Sequence, residues 1–481
     1  MALSFSHIRM PHVFTLLVGV ILFCSLLSYI VPSGTFDREE KQVGTLTRTM
    51  VVPGTFKELP KAYSVTGLIL PQEVEGQASP VSLVQFISAI PRGLEQTADI
   101  IFLIFLIGGV FGILQRTGMI TAIIHGLVTR FSGSGPLLTI ILMLTVSIAG
   151  STLGMGEEFI PLVPIFLYVA KELGYDRIYG LALVMVAADV GFAAATTNPF
   201  TVQIAQGIAE VPLGSDLGFR VIFYLTCMTA TLAYMLAYGR RIKNQPERSI
   251  MGMDTFHIKG LEQITYTLTR AHIWIAVMCA VLFISIIYGV QTQGWWLAEM
   301  SGGFLLMGAV AAWMAGMTAD QTVSAFVKGM EEMVVAALVV GFAKGIQVVM
   351  EDGQIMDTFI QYAASLLDGF PRIIAAEGML AFQSMLNFFI PSGSGQAATT
   401  MPLMAPLADL LGISRDSAVF AFTCGDGFSN TIIPTSGVLM AMLALADIPY
   451  PKWLRFMLPL FGILMTLSAI FLAIAVWMNL A

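Results

Sequence analysis

Apolar stretches long enough to cross a bilayer fill most of the chain, and polar residues collect in the short intervals between them. A helix needs about 20 apolar residues to span a hydrocarbon core of ~30 Å. The first run, His12 to Val31, meets that length and predicts a retained helix over 1–31, since it exceeds a signal-peptide core and lacks a cleavage site. Pro32 to Pro80 is the long polar interval. It mixes both signs of charge, and its valine- and threonine-rich pieces predict short paired strands. With an amphipathic segment over 81–96 it forms an external unit, 32–97. A span at 98–115 and a short amphipathic helix, Met119–Phe131, come next.

Two later pairs of apolar arms read differently. Arms at 135–150 and 159–172 are joined by Gly150-Ser-Thr-Leu-Gly-Met-Gly-Glu-Glu158. Each is shorter than the roughly 20 residues a crossing needs, so the pattern predicts a re-entrant hairpin over 134–173. A second hairpin, 373–410, turns at Pro391-Ser-Gly-Ser-Gly-Gln396. Each hairpin precedes a span broken by polar residues. One, over 178–208, breaks at Thr196-Thr-Asn-Pro-Phe-Thr201; the other, over 415–447, breaks between Asp426 and Pro434-Thr-Ser-Gly437. Unbroken spans are expected at 218–239, 272–291, 297–318, 333–350 and 453–479. The fold class is therefore an all-α polytopic membrane protein with about nine transmembrane helices and two re-entrant hairpins.

The two hairpin-plus-broken-helix units are copies. Gly118-Met-Ile matches Gly353-Gln-Ile at an offset of 235, Asp189 matches Asp426 at 237, and Gly174-Tyr-Asp-Arg177 matches Gly412-Ile-Ser-Arg415 at 238. The repeats run over 98–239 and 333–481, separated by a loop at 240–271 and scaffold helices over 272–332. Arg240, Arg241, Lys243, Arg248, Lys259 and Arg270 place that loop in the cytoplasm by the positive-inside rule. Counting crossings from it puts the N-terminus inside, the C-terminus outside and the hairpins on opposite faces. The repeat is thus inverted, the construction of many secondary transporters.

Composition narrows the picture. With 56% hydrophobic and 11% charged residues and a mean hydropathy of +0.81, the chain belongs in a multi-pass membrane setting, expected to be the inner (cytoplasmic) membrane. A net charge of −7 without a basic patch argues against nucleic acid. Cys24, Cys227, Cys279 and Cys424 all lie in apolar segments and read as small buried hydrophobes. No metal-ligand spacing or cofactor motif is present, so no cofactor is expected beyond coupling to Na⁺ or H⁺.

The candidate chemistry sits at the breaks. Thr197, Asn198 and Thr201 in one copy, and Asn430, Thr435 and Ser436 in the other, flank freed backbone groups. Ser392, Ser394 and Gln396 stand at the second hairpin tip. These are the expected substrate-binding residues, with Asn198 and Asn430 as candidate Na⁺ ligands. Acidic residues in apolar surroundings, Glu157, Glu158, Asp189 and Asp426, are expected to hold a cationic substrate, a Na⁺ ion or a proton. Their structural alternative is an ion pair with Lys344, which can equally snorkel away. An enzyme is disfavoured: an intramembrane aspartyl protease needs Gly-x-Gly-Asp, and this chain has Thr423-Cys-Gly-Asp426.

Gly154-Met-Gly-Glu-Glu158, Thr197-Asn-Pro-Phe-Thr201, Pro391-Ser-Gly-Ser-Gly-Gln396, Gly425-Asp-Gly-Phe-Ser-Asn430 and Pro434-Thr-Ser-Gly437 together resemble the YfcC family. This is a branch of the ion transporter superfamily often labelled C4-dicarboxylate anaerobic carriers. The resemblance implies a homodimer with a scaffold at its interface and a transport domain that moves like an elevator. Some members resemble arginine/ornithine antiporters, while the label implies dicarboxylates. More distant dicarboxylate carriers pair two Ser-Asn-Thr motifs; here only Ser429-Asn430-Thr431 keeps the triplet, and the first tip carries glutamates instead. The expected function is exchange of small, cationic amino acids, with Na⁺- or H⁺-coupled dicarboxylate transport as the rival.

Overall fold

A computed structural model describes residues 13–43, 46–72, 74–120, 122, 126, 135–252, 269–293, 295, 297–367 and 369–479. The first apolar run forms α1 (Val13–Leu27). The polar interval after it does pair as expected. Strand β1 (Ser33–Thr35) is antiparallel to a later strand, while β2 (Arg38–Val43) and β3 (Leu46–Val51) form a ribbon, and β4 (Lys57–Leu59) closes on β1. The all-α expectation thus holds for the apolar part and gains two small two-stranded sheets.

A short α2 (Val65–Ile69) precedes α3 (Leu83–Gln96) and α4 (Ala98–Arg116). Most of the helix expected over Met119–Phe131 lies outside the described residues, as does Lys259. The segment expected to form the first hairpin comprises α5 (Gly135–Leu153), a tight turn over Glu157–Leu162 and α6 (Val163–Glu172). The broken helix after it is α7 (Arg177–Ala193) with a wide turn, Pro199–Gln203, leading to α8 (Ile204–Ile208). Then come α9 (Leu217–Asn244), α10 (Arg270–Gln293), α11 (Leu297–Met314), α12 (Ala319–Glu332), α13 (Val334–Asp352) and α14 (Met356–Leu367). The second hairpin is α15 (Arg372–Leu386) and α16 (Gly393–Leu410); α17 (Arg415–Ser429), α18 (Gly437–Leu445) and α19 (Tyr450–Met478) complete the chain.

Among the described residues, six helices are long and apolar enough to cross a membrane: α4, α5, α9, α11, α13 and α19. Helix α5 runs three residues past the end at 150 that the sequence predicts, to Leu153, for 19 residues in all. The reason is local: the Thr152 hydroxyl donates back to the Ile148 carbonyl at 2.7 Å, so a polar residue stays inside the helix. Length alone therefore does not mark this arm as too short to cross.

The copies are visible element by element. Helices α3 and α12 are both 14 residues, α4 and α13 both 19, at one offset of 236. Even the caps recur: Ser82 with Gln85, and Thr318 with Gln321, each form a capping box that satisfies first-turn amides. The recurrence thus includes one helix before each boundary read from the sequence. Moreover, the copies cross-pack, α3 along α13 and α12 along α4. Glycine makes this possible. A Cβ at Gly93 would collide with the Gly341 carbonyl and stand 2.8 Å from the Gly345 nitrogen. One at Gly329 would collide with the Gly108 carbonyl and stand 2.9 Å from the Gly112 nitrogen. Small residues that bring backbones together replace the missing hydrophobic drive between helices in lipid.

Helices α7 and α17 pack against each other and are buried on nearly every side; α7 is apolar nearly all round, whereas α17 buries Asp416, Ser417, Thr423, Asp426 and Ser429 as well. Outer connections gather at two ends. At one end the ribbon β2–β3 lies near α8 and against α16, Ser33 Oγ donates to the Gly353 carbonyl at 2.8 Å, and Arg38 pairs with Asp357 at 2.7 Å. Lys61 donates to the Ser28 and Val31 carbonyls there. At the other, Asp176 accepts from Tyr238 and Ser249, both at 2.6 Å, and Arg177 pairs with Asp447 at 2.9 Å. Helix α9, about 42 Å long at 1.5 Å per residue, separates the polar interval's end from that of Arg240, Arg241 and Lys243.

Candidate functional site

Broken backbone inside an apolar protein must find partners within the protein or a wet cavity. Here the first break is tied to the first hairpin. The Thr196 and Thr197 amides donate to the Ser151 carbonyl at 3.1 and 3.2 Å, and the two hydroxyls of Ser151 and Thr196 lie 3.1 Å apart. Asn198 caps the wide turn by accepting from the Phe200 amide at 2.8 Å, while Gln203 Nε2 donates to the Thr197 carbonyl at 3.1 Å. Gly154 ends α5 at φ +69°, and a Cβ there would collide with Asn198 Oδ1. Glycine at 154 lets the tip fold closely over this asparagine.

The second copy uses different side chains for the same purpose. Asn387 Nδ2 lies 2.8 Å from the Asp426 carbonyl, 2.8 Å from Ser429 Oγ and 2.9 Å from Asn430 Oδ1. Gln396 donates to the carbonyl and side-chain oxygens of Gln383 at 2.9 and 2.7 Å, locking the hairpin arms together. Carbonyls freed by the break receive Trp453 Nε1, 2.9 Å from the Thr431 oxygen, and the Tyr450 hydroxyl at Ile432. Ser392 and Ser436 cap the helices that restart after the tip and the break, accepting from the Gly395 and Leu439 amides.

The copies meet at Gly393. A Cβ there would stand 2.6 Å from Thr201 Cγ2 and 3.2 Å from Asp426 Oδ2. Around this junction, a cavity of about 450 Å³ opens between both hairpin tips, the start of α4, and helices α10, α11 and α13. Of the sequence-predicted residues, Glu157, Glu158, Asp189, Ser392, Ser394, Asn430 and Ser436 line it. Asn198, Thr201, Gln396, Asp426 and Thr435 are buried behind that lining, and Thr197 stands half-buried beside them. Asp99, Gln96, Lys344 and Gln347 line the cavity without having been singled out as ligands. Hydrophobic Phe283, Ile286, Met300 and Phe304 supply its opposite wall.

Lys344 does not pair with the buried aspartates. Its ammonium donates to Gln347 Oε1 at 2.7 Å, and Gln347 Nε2 donates to Glu351 Oε1 at 2.7 Å. Several buried atoms nearby have no protein partner: Asp189 Oδ2, both carboxylate oxygens of Asp426, Thr201 Oγ1, Thr435 Oγ1 and Asn198 Nδ2. An unsatisfied buried polar atom costs about 1–3 kcal/mol, more when charged, so the oxygens favour a proton, a cation or water as partner, and the Asn198 amide favours an acceptor.

A polar cavity walled by two hairpin tips and two broken helices, inside bilayer-length apolar helices, is the architecture of a multi-pass membrane transporter. The family profile described as C4-dicarboxylate anaerobic carrier (DcuC) matches residues 10–477, and the chain belongs to that family. It is 34% identical over 490 residues to the "Putative basic amino acid antiporter YfcC" of Escherichia coli (strain K12), covering 96% of this chain and 95% of that one. It is 28% identical over 498 residues to an "Uncharacterized protein" of Haemophilus influenzae, covering 97% of both. Among solved structures it is similar to the YdaH transporter of Alcanivorax borkumensis, with a TM-score of 0.46, 16% identity, and coverage of 97% of this chain and 99% of that one.

Proposed function

We propose that this transporter exchanges small cationic amino acids, of the arginine and ornithine class, across the cytoplasmic membrane. The charge balance of the cavity carries the proposal. Its described lining holds four carboxylates, Asp99, Glu157, Glu158 and Asp189, against one ammonium, Lys344. A cationic amino acid brings two positive groups and one negative group, which complements that set. A dicarboxylate brings two negative groups and meets repulsion of about 4 kcal/mol per unpaired contact at ~4 Å, with an effective dielectric near 20. The name of the Escherichia coli relative points the same way, whereas the family description favours dicarboxylates.

Dicarboxylate uptake becomes the better reading only where coupling cations neutralise the carboxylates. The group most suited to a hard cation is the Asp426 carboxylate, whose two buried oxygens lack protein partners. Asn198 and Asn430 suit a cation less, since their side-chain oxygens already accept from Phe200 and Asn387. Movement is proposed to be elevator-like within a homodimer, the hairpin units sliding past the cross-packed helices α3, α4, α12 and α13.

A thermal-shift and proteoliposome panel of arginine, ornithine, neutral amino acids, succinate and fumarate, each with and without Na⁺, tests the substrate. Stabilisation and exchange by arginine or ornithine are expected. Response to succinate alone, dependent on Na⁺ and blind to arginine, would replace this reading with the dicarboxylate one.

A further inference from the structure

Four carboxylates explain how the cavity holds positive groups, but every amino acid also brings a carboxylate to bury. Two features of the cavity wall attract anions: the restarting helices at Ser392 and Ser436, and Lys344. Each serine already spends its oxygen on its own helix, accepting from Gly395 and Leu439, so these helix starts offer only partial charge. Lys344 is the only full positive charge among the described lining residues.

Its setting keeps that charge available. Val340, Ala343, Lys344 and Gln347 all line the cavity, so one face of α13 is turned toward it. The ammonium makes one bond, to the neutral amide of Gln347, whose own amide hydrogen goes on to Glu351. An ammonium has three donors, and a neutral amide orients it without cancelling its charge. Two donors remain for a second partner. No described carboxylate lies within ion-pair distance of it, although four line the same cavity.

We infer that Lys344, held by Gln347, binds the α-carboxylate of the transported amino acid and sets the selectivity for amino acids over amines. The inference rests on the cationic amino acid reading of the same cavity. It divides the site into a carboxylate end on α13 and a cation end at the first hairpin tip, where Glu157 and Glu158 stand.

Competition binding to the purified full-length protein tests it with two ligand pairs, arginine against agmatine and arginine against its methyl ester. Agmatine lacks the carboxylate and the ester masks its charge, while both keep the guanidinium. Wild type is expected to prefer arginine by about tenfold or more, the scale of one charge-assisted hydrogen bond. Lys344→Gln should collapse that ratio toward one, and Lys344→Arg should restore most of it. Equal binding of arginine, ester and agmatine by wild type overturns the role of Lys344 without needing any variant to fold. An unchanged ratio in a folded Lys344→Gln protein also overturns it, leaving the substrate reading intact. Binding of none of the three by wild type rejects the substrate reading and this inference together.

Discussion

At Gly154 a single hydrogen atom decides whether the first hairpin tip can close. The residue stands in the left-handed region, at φ +69°, and any Cβ would strike Asn198 Oδ1 and lie 2.6 Å from Phe200 Cδ2. Gly154→Ala should therefore cost both backbone strain and the Asn198 cap, and cut exchange at least roughly tenfold while the protein still inserts. Uptake in proteoliposomes matched for protein content checks this; normal uptake would mean the tip tolerates displacement. Asn198→Ala and Asn430→Ala should likewise abolish exchange, the first by freeing the Phe200 amide, the second by removing the Asn387 partner. If both variants transport normally at saturating and sub-saturating substrate, the breaks serve structure only. These residues were legible in the sequence because polar groups inside apolar runs stand out without knowledge of their neighbours. Asp99 and Lys344 were not recognised as lining residues, because which way a helix face turns depends on partners hundreds of positions away.

Elements followed the sequence where periodicity and punctuation agreed. Both breaks, the second hairpin tip and the paired strands lie where polar and glycine-rich residues interrupt or space the apolar runs. Helix α5 runs into its polar stretch because serine and threonine can bond to their own helix, so a polar run need not end it. What the sequence concealed most fully was cross-packing, since Gly93 and Gly329 look like ordinary helix glycines until Gly341 and Gly108 lie against them. Gly329→Leu should force α12 off α4, with overpacking costing about 1–3 kcal/mol or more. A lowered melting temperature in detergent is expected, together with loss of exchange; an unchanged melting temperature would show the helices can part without penalty.

For the whole molecule, the two ends separated by α9 are expected to face opposite sides of the membrane. Single cysteines test this: a reagent that cannot cross the bilayer should label position 58, on the exposed strand β4, and miss position 248. The reverse pattern would invert the proposed topology. Cross-packing also bears on how the protein is made. Helix α3 leaves the ribosome roughly 250 residues before its partner glycines on α13, which at about 5–20 residues per second is a wait of roughly 12–50 s. During that interval the first half has an amphipathic helix with no matching groove, and α4 lacks α12. A fragment ending at residue 269 should accordingly be degraded when expressed alone and survive when residues 270–481 are co-expressed, as pulse-chase would show. That outcome would mean that each half acts as a folding chaperone for the other, and that the lifetime of the nascent chain depends on the completion of its second half.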